Sequence, residues 1–125
     1  MAKRILVIDD EELIIKTLIN LLELNRYEVL VAKNGRDGIA IIEEEDFDLI
    51  ITDIRMPGMN GVETARSIYN LLEEQGRKRI PVIFLTGYAD KDIEEKARAL
   101  SPAAFIYKPF DMPVLLGKIK QVLKL

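Results

Sequence analysis

The sequence predicts a single-domain α/β fold across residues 1–125, a doubly wound parallel sheet built from five (βα) units. Two kinds of segment, one strand-like and one helical, predict it. Short apolar runs rich in β-branched residues alternate five times with longer segments in which apolar residues recur at helical spacing. This strict alternation of strand and helix favours a parallel sheet with right-handed crossovers and with helices on both faces.

Five segments have the composition of strands. The first, third and fourth are continuously apolar, as expected of strands covered on both faces, whereas the second and fifth are more mixed, as expected nearer a sheet edge. In chain order, the strands are predicted at Ile5–Ile8, Tyr27–Ala32, Leu49–Thr52, Val82–Leu85 and Ala104–Tyr107.

Five segments have the helical period. They are predicted at Glu11–Leu24, Arg36–Glu45, Gly61–Gln75, Lys91–Leu100 and Met112–Leu123. Capping residues support these boundaries, because Asn34, Asn60 with Glu63, and Asp111 can each cap the helix that follows. Gly117, inside the last helix, costs about 1 kcal/mol relative to alanine.

The composition excludes several kinds of chemistry. The chain has no cysteine and no histidine, which removes disulfides, thiolate catalysis and a histidine general base. The formal net charge of −3 disfavours binding to a nucleic acid duplex, and we expect the basic run Arg77-Lys78-Arg79 to face solvent. No segment has the ~18 consecutive apolar residues of a membrane span. We therefore expect a cytoplasmic protein without a signal peptide.

Polar side chains follow the apolar runs where the predicted strands end. Asp9 and Asp10 follow the first strand, Asp53 the third, Thr86 the fourth and Lys108 the fifth. In an open parallel sheet, ligands bind beyond the carboxyl ends of the strands, where the strand order reverses. If the first and third strands are neighbours, the three carboxylates converge, and like charges so close require a proton or a cation. Ligands that are all oxygen favour a hard ion such as Mg²⁺.

The charges at this edge leave room for one more anion. Three aspartates, a divalent cation and Lys108 sum to about zero, and a phosphoryl group suits the lysine, hydroxyl and backbone N–H donors present. No Gly-rich nucleotide loop occurs in the chain. Taken singly, Asp10 could be a helix cap, Asp53 a turn residue and Lys108 a surface lysine. Five such groups at one edge favour a functional site.

Four motifs, in this order and at compatible spacing, resemble the receiver domain of two-component response regulators, the family typified by the chemotaxis response regulator. The resemblance covers residues 4–123 and implies a flavodoxin-like sheet with strand order 2-1-3-4-5. The motifs are Ile5-Leu6-Val7-Ile8-Asp9-Asp10-Glu11, Leu49-Ile50-Ile51-Thr52-Asp53-Ile54-Arg55-Met56-Pro57-Gly58-Met59-Asn60-Gly61, Phe84-Leu85-Thr86-Gly87 and Phe105-Ile106-Tyr107-Lys108-Pro109-Phe110.

The resemblance implies a role for each polar residue at the edge. Asp53 would be the phosphoacceptor, and Mg²⁺ would be held by Asp10, Asp53 and the main-chain carbonyl of Arg55, with Asp9 acting through water. Two further residues, Thr86 and Lys108, would bind phosphoryl oxygens.

The resemblance also implies a conformational switch. Thr86 and the aromatic Phe105 would be the switch residues, and the fourth helix, fifth strand and fifth helix would form the output surface. The Lys108–Pro109 peptide is expected to be cis. We further expect the bulky Tyr88 to restrict the approach of hydrolytic water.

The implied partners are a sensor histidine kinase or histidine phosphotransfer domain and a downstream output domain or protein, with no direct contact to nucleic acid or membrane. The first helix carries a candidate docking patch for the kinase at Leu13, Ile15 and Ile19, beside the apolar stripe expected to face the core. Alternatively, this helix packs broadly against its neighbours.

Two other functions are open to such a chain. A Mg²⁺-dependent phosphohydrolase also forms an aspartyl phosphate, but those enzymes usually carry two aspartates one residue apart after the first strand, together with a cap domain. Here Asp9 and Asp10 are adjacent, and the candidate nucleophile lies on the third strand. The other alternative is a receiver-like interaction module that has lost phosphorylation, and the retention of the five residues Asp9, Asp10, Asp53, Thr86 and Lys108 argues against it. We therefore expect a signalling domain that catalyses its own phosphotransfer and dephosphorylation rather than a turnover enzyme.

Overall fold

In the residues that the structure describes, five strands alternate with five helices. The structure is a computed structural model that describes residues 2–87 and 90–124, so the expectation for Tyr88 lies outside the described residues. The elements are β1 (Arg4–Ile8), α1 (Glu12–Leu24), β2 (Glu28–Ala32), α2 (Gly35–Glu44), β3 (Leu49–Asp53), α3 (Gly61–Glu74), β4 (Val82–Thr86), α4 (Lys91–Ala99), β5 (Ala104–Tyr107) and α5 (Met112–Lys124).

All five strands belong to one parallel sheet with the order β2-β1-β3-β4-β5. The predicted fold class and strand order are confirmed. Every predicted strand and helix is present, and no boundary differs from the prediction by more than one residue. In the part of the chain that the structure describes, no helix has the length and apolar character needed to cross a membrane.

The sheet separates two apolar layers. Helices α1 and α5 cover one face, and helices α2, α3 and α4 cover the other. The central strands β1, β3 and β4 are buried along almost their whole length, whereas β2 and β5 at the edges are only partly buried. Burial on both faces explains why the central strands are apolar except at their ends.

Side-chain caps begin two of the helices as predicted. The Asn34 side chain accepts a hydrogen bond from the Asp37 backbone N–H at 2.8 Å. The Asn60 side chain and Glu63 form a reciprocal capping box at the start of α3, with bonds of 2.9 and 3.1 Å. These caps satisfy N–H groups that the first turn of a helix leaves without partners.

Helix α1 is more deeply buried than the predicted docking patch allows, because that patch needs exposed side chains. Ile15 is only 5% exposed and belongs to the core beside Leu18, so its assignment to an exposed patch is wrong. The alternative of broad packing against neighbouring elements describes Ile15 correctly. Leu13 is 74% exposed and Ile19 is half-buried, so the surface part of the predicted patch consists of these two residues.

The basic loop after α3 is partly structural. The guanidinium of Arg77 donates to the backbone carbonyls of Ile42 at 2.6 Å and Glu45 at 3.0 Å. These bonds satisfy carbonyls at the end of α2, so the expectation that the whole run faces solvent is wrong for Arg77. The next residues, Lys78 and Arg79, are exposed.

Gly61, the first residue of α3, brings this helix against the end of β3. Its N–H donates to the Ile54 carbonyl at 2.8 Å. A Cβ at this position would overlap the carbonyl oxygen of Asp53 and would lie 2.8 Å from the Ile54 Cα. Only glycine therefore permits the close approach that holds α3 beside Asp53.

We predict opposite effects for one substitution at two glycines. Gly61→Ala should lower the free energy of unfolding by roughly 1–3 kcal/mol, because the methyl group overlaps backbone that cannot move independently. Gly117→Ala in α5 meets open space and should raise it by about 0.5–1 kcal/mol, because alanine has the higher helix propensity. Urea unfolding followed by circular dichroism measures both. Equal stability of the two variants would contradict the packing described for Gly61.

Candidate functional site

Three carboxylates converge at the carboxyl ends of β1 and β3. The two strands are neighbours, with Ile8 opposite Thr52 in the register, so the residues that follow them emerge side by side. One carboxylate oxygen from each of Asp9, Asp10 and Asp53 lies within 4.8 Å of the other two. The structure thus brings together the three acids that strand order and spacing led us to expect here.

The three acids differ in their exposure. Asp9 and Asp53 are 1% and 4% exposed, whereas Asp10 is exposed. Burial raises the pKa of Asp9, although the Glu11 N–H at 2.9 Å and the nearby charge of Lys108 act in the opposite direction. The ionised form of Asp9 is therefore destabilised by its surroundings, and a further positive charge at the site would stabilise it.

Lys108 provides the positive charge that faces these acids. Its Nζ lies 3.1 Å from an oxygen of Asp53, 3.4 Å from Asp9 and 3.3 Å from Glu11. Partial burial works against the charged form, but the carboxylates of Asp53 and Asp9 outweigh it and raise the pKa of Lys108. The ammonium is thus held in its charged form between β5 and β1.

A backbone hydrogen bond fixes the position of Lys108. The Lys108 N–H donates to the Thr86 carbonyl at 2.7 Å, which extends the β4–β5 ladder beyond the last residue of β5. The Lys108–Pro109 peptide is cis, as expected. A Cβ at Gly87 would be in ordinary contact with Lys108, so the lysine stem passes close to the loop after β4.

Thr86 and Arg55 border the acidic cluster. Thr86 is buried and follows Leu85, the register partner of Asp53 on the neighbouring strand. The Arg55 N–H donates to an oxygen of Asp53 at 3.3 Å. The functions expected of the Thr86 hydroxyl and the Arg55 carbonyl stay predictions.

Phe105 lies on β5, one strand away from Thr86. Its ring is half-buried, with its centre 6.3 Å from that of Phe84 and 5.3 Å from that of Tyr107. Phe105 and Tyr107 are alternate residues of one strand, and alternate residues share a face of the sheet. The aromatic residue expected to switch therefore belongs to a short row of rings.

Sequence reasoning gave no role to two sets of contacts. Glu11 follows the acidic pair directly, and its position was the only signal of its proximity to Lys108. Glu94, Arg98 and Tyr107 form a polar network beside Phe105. The spacing of Glu94 and Arg98 by four residues is a recognisable helical pair, whereas no local pattern connects either of them to Tyr107.

The cluster has the chemistry of a hard-cation site. Its carboxylate oxygens lie close together, two of the three acids are buried, and the pKa of Asp9 is raised. Such a set of oxygen donors would suit Mg²⁺ rather than a soft metal. The buried Asp53 carboxylate, beside the Lys108 ammonium, can accept an electrophilic anionic group whose charge the ammonium neutralises.

Comparisons with known proteins agree with this geometry. A family model described as the response regulator receiver domain matches residues 5–120. The chain is 32% identical over 123 residues to the polar-differentiation response regulator DivK of Brucella anthropi, and the match covers 98% of each sequence.

Solved structures show the same likeness. A CheY-like response regulator receiver domain protein from Methanospirillum hungatei JF-1 superposes with a TM-score of 0.90 and 34% identity, covering 99% of this chain and 95% of that one. The chemotaxis protein CheY4 of Vibrio cholerae gives a TM-score of 0.85 at 28% identity, with 98% and 100% covered. Fold, acidic cluster and sequence agree, and the chain belongs to the family of response regulator receiver domains.

Proposed function

We propose that this receiver domain, extending over residues 1–125, accepts a phosphoryl group on Asp53 from a partner histidine kinase or phosphotransfer domain. The observation that carries the proposal is the environment of one carboxylate. Asp53 is 4% exposed, lies 3.1 Å from the Lys108 ammonium and shares a cluster with Asp9 and Asp10. Membership of the family supports the same reaction.

The transfer is an in-line displacement at phosphorus. A carboxylate oxygen of Asp53 forms the new P–O bond while the P–N bond of a donor phosphohistidine breaks, and the imidazole nitrogen leaves with the electron pair. Lys108 neutralises charge on the phosphoryl oxygens, and Thr86 donates its hydroxyl to one of them. Catalysis therefore consists of positioning and electrostatics, and the chain needs no histidine of its own.

The acidic cluster is proposed to bind Mg²⁺. Asp10, Asp53 and the Arg55 carbonyl would hold the ion directly, and Asp9 would act through water. When bound, Mg²⁺ neutralises charge that the phosphoryl group brings to a site already rich in carboxylates. The burial of Asp9 supports this assignment, because an ionised carboxylate with little access to water gains most from a nearby cation.

Phosphorylation replaces a charge of about −1 at Asp53 by about −2. The Thr86 hydroxyl is drawn toward the phosphoryl group, and Phe105 moves into the space that Thr86 leaves. A shift from 1:99 to 99:1 between two states requires about 5.5 kcal/mol, which several charge-assisted hydrogen bonds can supply. The altered surface consists of α4, β5 and α5, where a downstream output domain or protein would bind.

The first prediction concerns the acceptor. With Mg²⁺ and acetyl phosphate, the protein should gain one phosphoryl group per chain, slowly hydrolysed and released by hydroxylamine as an acyl phosphate is. Asp53→Asn should gain none, because the amide is not a competent nucleophile. Intact-protein mass spectrometry measures the incorporation.

Asp46→Asn is the matched control. Asp46 is exposed and lies before the amino end of β3, whereas the acidic cluster lies at the carboxyl ends of the strands. This variant should be phosphorylated as the wild type is. Incorporation into Asp53→Asn would refute the assignment of the acceptor, and rapid multiple turnover of the donor would favour a phosphohydrolase.

The second prediction concerns the metal. Mg²⁺ at a hundredfold excess over its Kd should stabilise the fold by about 2.7 kcal/mol. Asp10→Asn should lose most of this gain, yet unfold at a higher denaturant concentration than the wild type without Mg²⁺. Lys108 pairs with Asp9 and Asp53, so removal of the Asp10 charge relieves repulsion and leaves those pairs intact.

Urea unfolding at constant ionic strength, with and without Mg²⁺, measures both effects. Asp46→Asn again serves as the control and should keep the full gain from Mg²⁺. An equal gain in Asp10→Asn and wild type would remove Asp10 from the proposed ligands.

The third prediction concerns the kinase side. Leu13 is exposed at the start of α1, near the acidic cluster, and Ile19 is half-buried farther along the same helix. Leu13→Asp should slow phosphotransfer from the phosphorylated cognate kinase but leave phosphorylation by acetyl phosphate unchanged, because only the protein donor needs an apolar contact. Leu24→Asp, 82% exposed at the far end of the same helix, should change neither rate. If the two variants slow phosphotransfer from the kinase equally, the proposed docking surface is wrong.

A further inference from the structure

Helix α4 has little apolar attachment to the rest of the domain. Ala97 is its only buried residue among those that the structure describes, and Ile93 is half-buried against the core. An element with few buried apolar contacts opens at low free-energy cost. Polar side-chain contacts therefore contribute a large share of what holds α4 in place.

The hydrogen bond that joins a side chain of α4 to β5 ends at one carboxylate oxygen. Glu94 Oε1 accepts a hydrogen bond from the Tyr107 hydroxyl of β5 and two from Arg98, from Nε at 3.2 Å and Nη2 at 3.0 Å. Arg98 in turn places its guanidinium carbon 4.7 Å from the centre of the Phe105 ring. We call Glu94, Arg98, Tyr107 and Phe105 the Glu94 network.

The network lies beside the proposed switch residue on the neighbouring strand. In the β4–β5 register, Phe84 is opposite Phe105 and Thr86 is opposite Tyr107. Side chains of register partners in a parallel sheet point to the same face. Phe105 therefore lies next to Phe84 of β4, and Tyr107 lies next to Thr86.

We propose that Glu94 is a positioning residue, which holds helix α4 against β5 and keeps the Phe105 ring beneath the Arg98 guanidinium while Asp53 is unphosphorylated. This inference rests on the proposed function, in which Phe105 moves inward when Asp53 gains a phosphoryl group. In that movement the ring leaves its cation–π contact with Arg98 and separates from Tyr107. The network thus opposes switching in the absence of phosphorylation.

The charges in the network act together. The hydrogen bond from Tyr107 lowers the pKa of Glu94, and Glu94 raises the pKa of Tyr107, so that carboxylate and neutral hydroxyl stabilise each other. The Glu94 carboxylate also orients the planar guanidinium, whose face over an aromatic ring is favourable. Removal of one donor or of the carboxylate charge should therefore release the ring without emptying any part of the core.

The test uses two variants with small changes in shape. Tyr107→Phe removes only the hydroxyl, and Glu94→Gln keeps an acceptor oxygen but removes the charge. Both should weaken the nuclear Overhauser effects between Arg98 and the Phe105 ring in the unphosphorylated protein. Both should also accelerate phosphorylation by acetyl phosphate roughly three- to tenfold, the factor that corresponds to one net hydrogen bond.

Glu95→Gln is the matched control, because Glu95 is an exposed neighbour on the same helix. It makes the same change in charge and should leave both measurements at wild-type values. Arg98→Lys, which keeps the charge but lacks the planar fork, should behave like Glu94→Gln.

The two readouts distinguish the possible failures. Wild-type spectra and rates in Tyr107→Phe and Glu94→Gln would overturn the positioning role, as would lower stability with an unchanged phosphorylation rate, since that is the result of a merely structural contact. If the wild type accepts no phosphoryl group, the proposed function fails. The Overhauser effects, measured also in Asp53→Asn, still report whether the network holds the ring.

Discussion

Repulsion among carboxylates at one edge of the sheet is the constraint on which the rest of this structure depends. Asp9, Asp10 and Asp53 are placed within a few ångströms of one another, two of them with almost no access to water. Lys108 offsets part of the cost by direct contact with both buried acids. The arrangement leaves an excess of negative charge, which a bound cation would reduce.

The fold keeps these groups in place through its two apolar layers. Each strand that leads to a buried acid is largely apolar and buried, and helices cover both of its faces. The backbones of the two buried acids therefore cannot separate without disrupting the core. Gly61 also helps to hold Asp53 in place, because the absence of a side chain lets α3 begin against the backbone of Asp53 and Ile54.

Much of this could be predicted from the sequence, for identifiable reasons. Apolar runs and helical periods are local signals, and they located all ten elements. The meeting of Asp9 with Asp53 follows from parallel topology, because the ends of adjacent parallel strands share an edge. The burial of a residue at the side of a helix's apolar stripe is harder to predict from the sequence. Ile15 continues the apolar stripe of α1, and only the neighbouring elements determine that it lies in the core.

Contacts that join a helix to a loop or strand distant in sequence could not be predicted. Arg77 satisfies carbonyls at the end of α2 from a loop 35 residues away from Ile42, and three consecutive basic residues give no sign of such a role. Tyr107 reaches Glu94 across the space between β5 and α4. Such pairs depend on the relative position of two elements, which local patterns do not contain.

The short strand β5 has one further consequence. Its residues Phe105 and Tyr107 face α4, and the very next residue after the strand is the lysine that contacts the acids. The aromatic residues packed beside α4 and the lysine of the acidic cluster thus lie within the same few peptide units. A small displacement of this backbone would therefore move Lys108 and the Phe105 and Tyr107 rings together.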